Sequence, residues 1–174
     1  MVAKDASGQR QKVESEQLTA FFEEIHSRHT LEEVVFLCIG TDRSTGDALG
    51  PLTGSRLLEY GFPYVIGSLE APCDADNLES RIACIPANKT IVAVDACLGQ
   101  PSSVGSFLVS EQPLHPARSV GGFLPPVGHY SVAAVVNVNG PKPYWTLQMT
   151  SLYQVMQQAG QIAAAAATAF GLLK

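Results

Sequence analysis

Several features that would place a chain in a familiar functional class are missing from this sequence. Charged residues make up only 16% of the 174 residues, the net charge is −5, and no basic cluster occurs. Nucleic acid and anionic membranes are therefore not expected as partners. The four cysteines form no Cys-x-x-Cys pair and the polar N-terminus is not a signal peptide, so we predict a reducing, cytoplasmic compartment. The longest apolar tract, Ile162–Leu173, is too short to span a bilayer.

Common catalytic and nucleotide-binding motifs are absent as well. Neither Ser44 nor Ser131 lies in a Gly-x-Ser-x-Gly context, which argues against a serine hydrolase. The loop GTDRSTGDALG contains glycines, but it has neither the GxGxxG pattern nor the lysine of a phosphate-binding loop. We therefore predict no cofactor. The low charge and the 46% hydrophobic content indicate a surface suited to a homo-oligomer.

The most informative stretch is VVFLCIGTDRSTGDALGP. Val34–Ile39 is continuously apolar, as in a strand covered on both faces of a parallel sheet. After Gly40 comes a polar loop with the carboxylates Asp42 and Asp47, and Pro51 then suits the first turn of a helix. Asp47 is placed to cap this helix. A loop at the carboxyl end of a strand is where open α/β sheets build their sites.

The rest of the chain alternates between strand and helix patterns, which indicates an α/β fold with one mostly parallel (mixed) sheet. We expect a flexible tail over residues 1–14 and a single domain over residues 15–174. The predicted helices begin at Ser15, Ala48 and Leu152, with a short one inside Pro72–Ile85. The predicted strands are Tyr64–Ser68, Thr90–Asp95, Val104–Ser110 and Ser131–Val138, with loops over Ala96–Ser103 and Gln112–His129. The predicted buried stripe of the last helix is Leu152, Val155, Met156, Ala159, Ala163, Ala166 and Phe170.

Asp47 and Asp95 are the main catalytic candidates. Both follow fully apolar strands, so neighbouring strands would bring them to one rim of the sheet. Two adjacent carboxylates repel, one pKa rises, and the pair can act as general acid and base. The same pair could bind a divalent metal together with His129 or His115. Alternatively, Asp47 only caps its helix and Asp95 only begins a turn.

Four further residues are candidates for substrate binding or an auxiliary role. Arg43 could clamp a substrate carboxylate or pair with its neighbour Asp42. Asp74 precedes a helix, where capping is the simpler explanation. His129 lies in a Gly/Pro loop, where a lone histidine is more often solvated than catalytic.

Four segments together resemble the YyaC family of sporulation proteins: IGTDRSTGDALGP, VIGSLEAP, IVAVDACLG and LPPVG-x-x-S-x-x-x-x-V-N-V. That family is related to the germination protease, which degrades small acid-soluble spore proteins, and to the hydrogenase maturation endopeptidases. The resemblance runs from about Val34 to the C-terminal helix. It implies a phosphorylase/hydrolase-like three-layer α/β/α sandwich. The germination protease's proposed catalytic aspartates, in its D-A-L-G-P and D-A-L segments, correspond to Asp47 and Asp95.

The chain departs from the pattern of its close relatives at two places. A histidine is expected near Pro72-Cys73-Asp74, and an acidic residue where Gly128-His129-Tyr130 stands. The resemblance implies a sporulation peptidase that uses Asp47 and Asp95, without metal, on a protein or peptide in the cytoplasm of the sporulating cell or spore. The alternatives are a non-catalytic α/β module that binds a partner or peptide, and a metal-dependent maturation endopeptidase.

Overall fold

The computed structural model describes residues 10–116 and 124–173. Six strands in this part of the chain form one sheet: β1 (Gln11–Val13), β2 (Val34–Cys38), β3 (Val65–Ile66), β4 (Thr90–Gly99), β5 (Phe107–Ser110) and β6 (Tyr130–Val138). The helices are α1 (Ser15–Arg28), α2 (Leu49–Tyr60), α3 (Leu78–Ala83), α4 (Pro143–Gln148) and α5 (Leu152–Ala169). None of these helices is long and apolar enough to cross a membrane.

The sheet is mixed, with the strand order β1-β5-β6-β4-β2-β3. Strands β3, β2, β4 and β6 run parallel, whereas β5 pairs antiparallel with β6 and β1 antiparallel with β5. The prediction that the two apolar strands are adjacent and central is confirmed, because β2 pairs with β4 from Val34↔Thr90 to Cys38↔Val94. Every residue of β2 is buried, as a strand covered on both faces requires.

Protein covers the sheet on both faces, which confirms the predicted α/β class with helices on either side. Phe36 and Val94 point into the larger core, which α1, α2 and α5 cover. Leu37 and Ala93, one residue along each strand, point to the opposite face and pack with Leu78 of α3. This second face also receives Leu114 and Val127, which form an isolated bridge. Alternation along the strands therefore separates the two cores.

The predicted flexible tail over residues 1–14 is wrong at its C-terminal end. Gln11–Val13 form the edge strand β1, paired with Phe107–Val109 of β5. The predicted cap of α1 is also displaced, because Glu14 rather than Ser15 is the N-cap and its N–H donates to the Gln17 side chain. Residues 1–9 lie outside the described residues.

Two predictions in the second half of the chain are also corrected. β4 continues to Gly99, whereas a loop was expected from Ala96, because β6 goes on pairing with it beyond the end of β2. α4 was not predicted, since its six residues are too few to show a helical period. In α5, Leu152 and Met156 were expected to be buried but are 55% and 49% exposed.

Helix α2 packs directly on the backbone at the end of the sheet. A Cβ added to Gly54 would lie 1.7 Å from the carbonyl oxygen of Gly67, and one added to Gly50 would lie 2.0 Å from that of Ile39. Both distances are far below any real contact, so these glycines are required by close approach. They fix the start of α2 against the carboxyl end of β2.

Gly54→Ala should therefore destabilise the fold. Alanine is intrinsically better than glycine in a helix by about 0.5–1 kcal/mol, so any net loss measures the clash with Gly67. We expect a loss above ~2 kcal/mol in the free energy of unfolding, measured by urea denaturation. The control is Arg56→Ala on the exposed side of the same helix, which should change stability by less than ~0.5 kcal/mol. A Gly54→Ala protein as stable as the wild type would contradict this packing.

Candidate active site

The loop that carries Asp47 begins where β2 stops. The Ile39 N–H donates to the carbonyl of Val94 (2.8 Å), and the Gly40 N–H donates to that of Cys73 (2.9 Å). The Thr41 N–H then donates back to the carbonyl of Asp47 (3.2 Å), which closes the loop. Gly40 has φ +152°, and a Cβ there would lie 2.0 Å from the Asp47 carbonyl oxygen. Only glycine permits this turn, which holds Asp47 close to the sheet.

The prediction that Asp47 caps α2 is wrong. Asp47 lies inside a 3-10 turn, Gly46–Ala48, and the N-cap residue of α2 is Ala48, with no side-chain cap. Burial raises the pKa of the Asp47 carboxyl, while the neighbouring Ser44 hydroxyl lowers it. With no capping role, the half-buried Asp47 side chain is left to face the space above the sheet.

Asp95 lies within β4 rather than at its end. It is the first residue of β4 past the final β2 pair, Cys38↔Val94, and it pairs with Ala133 of β6. Its Oδ1 accepts a hydrogen bond from the Ala96 N–H (2.8 Å). Burial raises the pKa of Asp95 well above its usual range, and the charge of Asp47 raises it further, against the lowering effect of the Ala96 N–H. The two carboxyl groups are thus close enough to repel each other.

Both aspartates line one cavity of about 410 Å³. Its other lining residues come from the β2 loop, from the segment before α3, and from two apolar positions further along the chain. They are Ile39, Gly40, Thr41, Arg43, Ser44, Asp74, Ala75, Asp76, Leu124 and Tyr144. A second cavity of about 370 Å³ reaches Asp95 from the side of β5 and is lined by Arg10, Cys97, Leu108 and His115 among others. Asp95 therefore lies between two recesses that open on the sheet.

Ser44 and Tyr144 are among the cavity residues that were not predicted as site residues from the sequence. Ser44 is 7% exposed, and its Oγ has no hydrogen-bond partner of regular geometry among the described residues. Its position three residues before Asp47 is the only signal in the sequence. Tyr144 belongs to α4, the helix that was not predicted, so the sequence offered no reason to place its ring at the cavity.

Of the auxiliary candidates, Arg43 and Asp74 line the cavity, whereas Asp42 does not. Arg43 Nη2 lies 3.9 Å from Asp74 Oδ2, and the Arg43 side chain is 79% exposed, so this pair contributes little to stability. Asp74 Oδ1 also accepts the N–H groups of Asp76 (3.0 Å) and Asn77 (3.2 Å), which orders the turn before α3. Arg43 therefore meets Asp74, not Asp42, at the rim of the cavity.

His129 lies away from the aspartate pair. It is exposed, precedes β6, and accepts the Ile91 N–H at its Nδ1 (2.9 Å). It lines a separate pocket with His29 and Glu111. Since β6 starts with Tyr130 opposite Val92, His129 lies at the level of Ile91, four residues before Asp95, and about 13 Å of strand separates the two positions.

The described residues do not complete a metal site at the pair. No group of three or more His, Cys, Asp or Glu that could hold an ion occurs among residues 10–116 and 124–173. Cys97, two residues after Asp95, has its pKa raised to about 12 by burial and by the Asp95 charge, so it is a protonated thiol at neutral pH. The residues present therefore suit proton transfer better than metal coordination.

The raised pKa of Asp95 predicts a pH dependence of stability. The folded protein retains a proton on Asp95 that the unfolded chain loses above its ordinary pKa of 3.8, so this residue destabilises the fold increasingly as pH rises through its folded pKa. Asp95→Asn removes the titration and should raise the melting temperature at pH 8 while leaving it nearly unchanged at pH 3.5. The exposed carboxylate variant Glu59→Gln is the control. An Asp95→Asn protein less stable than the wild type at pH 8 would contradict this arrangement.

This fold matches that of a solved protease. The crystal structure of the [NiFe] hydrogenase maturation protease HycI from Thermococcus kodakarensis KOD1 superposes with a TM-score of 0.58 at 19% identity. The match covers 87% of this chain and 99% of that one. At this identity the likeness shows the fold, and it confirms the predicted architecture.

Sequence comparison confirms the predicted family. The chain is 44% identical over 135 residues to the Bacillus subtilis (strain 168) protein named "Uncharacterized protein YyaC". This match covers 75% of the chain and 66% of that protein's length. The family model described as "Protein of unknown function (DUF1256)" matches residues 7–165. The chain is therefore a member of the DUF1256 family.

Proposed function

We propose that this protein hydrolyses peptide bonds with Asp47 and Asp95 as a general acid–base pair. The observation that carries the proposal is that the two carboxyl-bearing residues line one cavity, where burial and the charge of Asp47 raise the pKa of Asp95. Carboxyl pairs whose environments separate their pKa values are a recurring acid–base device. The protease-like fold supports a protein or peptide as the substrate.

The two carboxyl groups have different surroundings, and these assign their roles. Asp47 has the Ser44 hydroxyl beside it, which favours its ionised form. Asp95 faces the Asp47 charge, which favours its protonated form. We therefore assign Asp47 as the base and Asp95 as the acid at the start of the cycle.

The proton movements follow from this assignment. Asp47 takes a proton from a water molecule, whose oxygen attacks the scissile carbonyl carbon. Because Oδ1 of Asp95 accepts the Ala96 N–H, the proton of Asp95 belongs on Oδ2, from which it can pass to the carbonyl oxygen as the C–O π bond opens. When the C–N bond breaks, the proton on Asp47 passes to the leaving nitrogen, and Asp95 recovers its own from the collapsing intermediate.

The lining of the cavity indicates how a peptide would be held. Leu124 and Tyr144 offer apolar contacts at one side, while Arg43 and Asp74 offer charges at the rim. The resemblance to sporulation proteins suggests spore proteins as substrates and the cytoplasm of the sporulating cell or spore as the setting. Small acid-soluble spore proteins are the first substrates to test.

Asp47→Asn and Asp95→Asn should each lower peptide hydrolysis by about 100-fold or more, since each removes a proton-transfer group. Both variants should remain folded, because asparagine is isosteric and carries no charge to repel its neighbour. The measurements are cleavage of small acid-soluble spore proteins and a generic peptide library, followed by mass spectrometry, with a thermal melt of each variant.

Glu59→Gln removes an exposed carboxylate from α2 and should leave hydrolysis unchanged. If the wild-type protein cleaves no substrate between pH 4 and pH 8, with or without added metal, the proposal is wrong and the non-catalytic binding module takes its place. A loss of folding in both Asn variants would instead assign the aspartates to a structural role.

The pH profile of kcat/KM should be bell-shaped, because the active form has one proton on the pair. Activity should rise with pH as the first carboxyl ionises and fall as the second ionises. The two apparent pKa values of this profile belong to the coupled pair and not to either residue alone. Since each pKa is raised, the acidic limb should lie above the ordinary aspartate range. A profile that keeps rising to pH 9 would contradict two-carboxyl catalysis.

Hydrolysis should persist after dialysis against EDTA and should not depend on added nickel or zinc. The two aspartates supply fewer ligands than a protein zinc site requires. Elemental analysis of the purified protein is the second measurement. About one equivalent of nickel or zinc per chain, lost in Asp95→Ala, would favour the maturation-endopeptidase alternative.

A further inference from the structure

The C-terminal part of the chain is uncharged although much of it is on the surface. From Pro143 to Leu173 there is no Asp, Glu, Lys, Arg or His, in a chain with 16 acidic and 11 basic residues. The segment includes both α4 and α5. A water-facing helix normally has charged residues on its outer face, so the outer face of α5 is unlike an ordinary solvated surface.

Large apolar side chains stand exposed at the start of this segment. On α5, Leu152 is 55% exposed, Tyr153 74% and Met156 49%. Just before α5, Trp145 is 62% exposed and Met149 70%. Aromatic residues and methionine are enriched in protein interfaces, and charged residues are depleted at their centres. This surface therefore has the composition of an interface.

The side chains on the outer face of α5 become smaller from its N-terminal to its C-terminal half. Its N-terminal half carries Leu152 and Met156, and the same i+4 row continues through Gly160, Ala164 and Thr168. A Cβ added at Gly160 would meet no atom within 4 Å, so the surface is open there. The Thr168 hydroxyl donates to the carbonyl of Ala164 (2.8 Å) and needs no further partner. One half of the row is bulky and the other half is flat.

We propose that α5 is the contact surface for a second copy of this chain, with the two α5 helices packed antiparallel across a two-fold axis near Gly160. In this arrangement the bulky half of each row lies on the flat half of the other. Met156 of one copy then faces Ala164 of the second, and Gly160 faces Gly160 where the backbones are closest. Rows at i+4 spacing are the ridges by which helices commonly interdigitate, and a two-fold contact is the usual form of a homodimer.

The charge distribution favours a second copy as the occupant. Two chains of net charge −5 repel wherever their acidic surfaces meet, and the outer face of α5 is a surface on which neither copy presents a carboxylate. A row that is large at one end and small at the other is complementary to itself only when it is reversed. Both properties are satisfied together by antiparallel self-association.

The first test is the mass in solution, measured by sedimentation velocity on the full chain between about 1 and 100 μM. We expect the wild type to sediment as a dimer, and Met156→Glu and Ala164→Arg each to weaken dimerisation by about 100-fold or more. The matched control is Ala20→Arg, at an exposed position of α1, which should remain dimeric. Circular dichroism should show unchanged helix content in all three variants.

The double variant Met156→Glu/Ala164→Arg tests the orientation. Eight residues of helix, about 12 Å, separate the two positions within one chain, so the new charges can pair directly only between copies. Antiparallel packing predicts that the double variant recovers the dimer that each single variant loses. A wild type that is monomeric throughout, a dimer unaffected by both single variants, or a double variant that stays monomeric would each overturn the proposal.

Discussion

The site depends on an offset between the two central strands of the sheet. Strand β2 stops pairing with β4 at Cys38 and Val94, while β4 goes on pairing with β6 as far as Gly99. The next residue of β4, Asp95, therefore has a strand neighbour on one side only. On its other side, the Asp47 loop lines a cavity together with Asp95; this loop turns at Gly40 and is held by a backbone hydrogen bond to Cys73. The same offset opens the cavity and brings the two carboxyl groups together.

Much of this arrangement could be predicted from sequence, because it depends on local patterns. The continuous apolar runs before Asp47 and in Thr90–Val94 identified two central strands, and parallel neighbours bring the residues that follow them to the same edge. The sequence could not show that β4 continues past Asp95. That extension depends on β6, which supplies the pairing partner from a distant part of the chain.

The auxiliary residues were harder to predict because they depend on loops whose paths the sequence does not specify. His129 stands next to a strand as the aspartates do, but at its start, so its Nδ1 meets the Ile91 N–H instead of the pair. Ser44 lies in a bend just before a 3-10 turn, and Tyr144 lies in a six-residue helix. Neither element has a period long enough to recognise. On α5, Leu152 and Met156 fitted a buried stripe by spacing alone, yet both are exposed.

The carboxyl group of Asp95 is not required by the fold itself. The hydrogen bond that its Oδ1 accepts from the Ala96 N–H could be accepted equally well by an asparagine side-chain oxygen of the same shape. Asparagine would also avoid both the desolvation of a charge and the repulsion from Asp47 that raise the pKa of Asp95. Each unit by which folding raises a carboxyl pKa costs about 1.4 kcal/mol of stability above both pKa values. A destabilising carboxyl group beside a second carboxyl in a cavity is a pattern typical of functional sites, and it supports the acid–base role proposed for the pair.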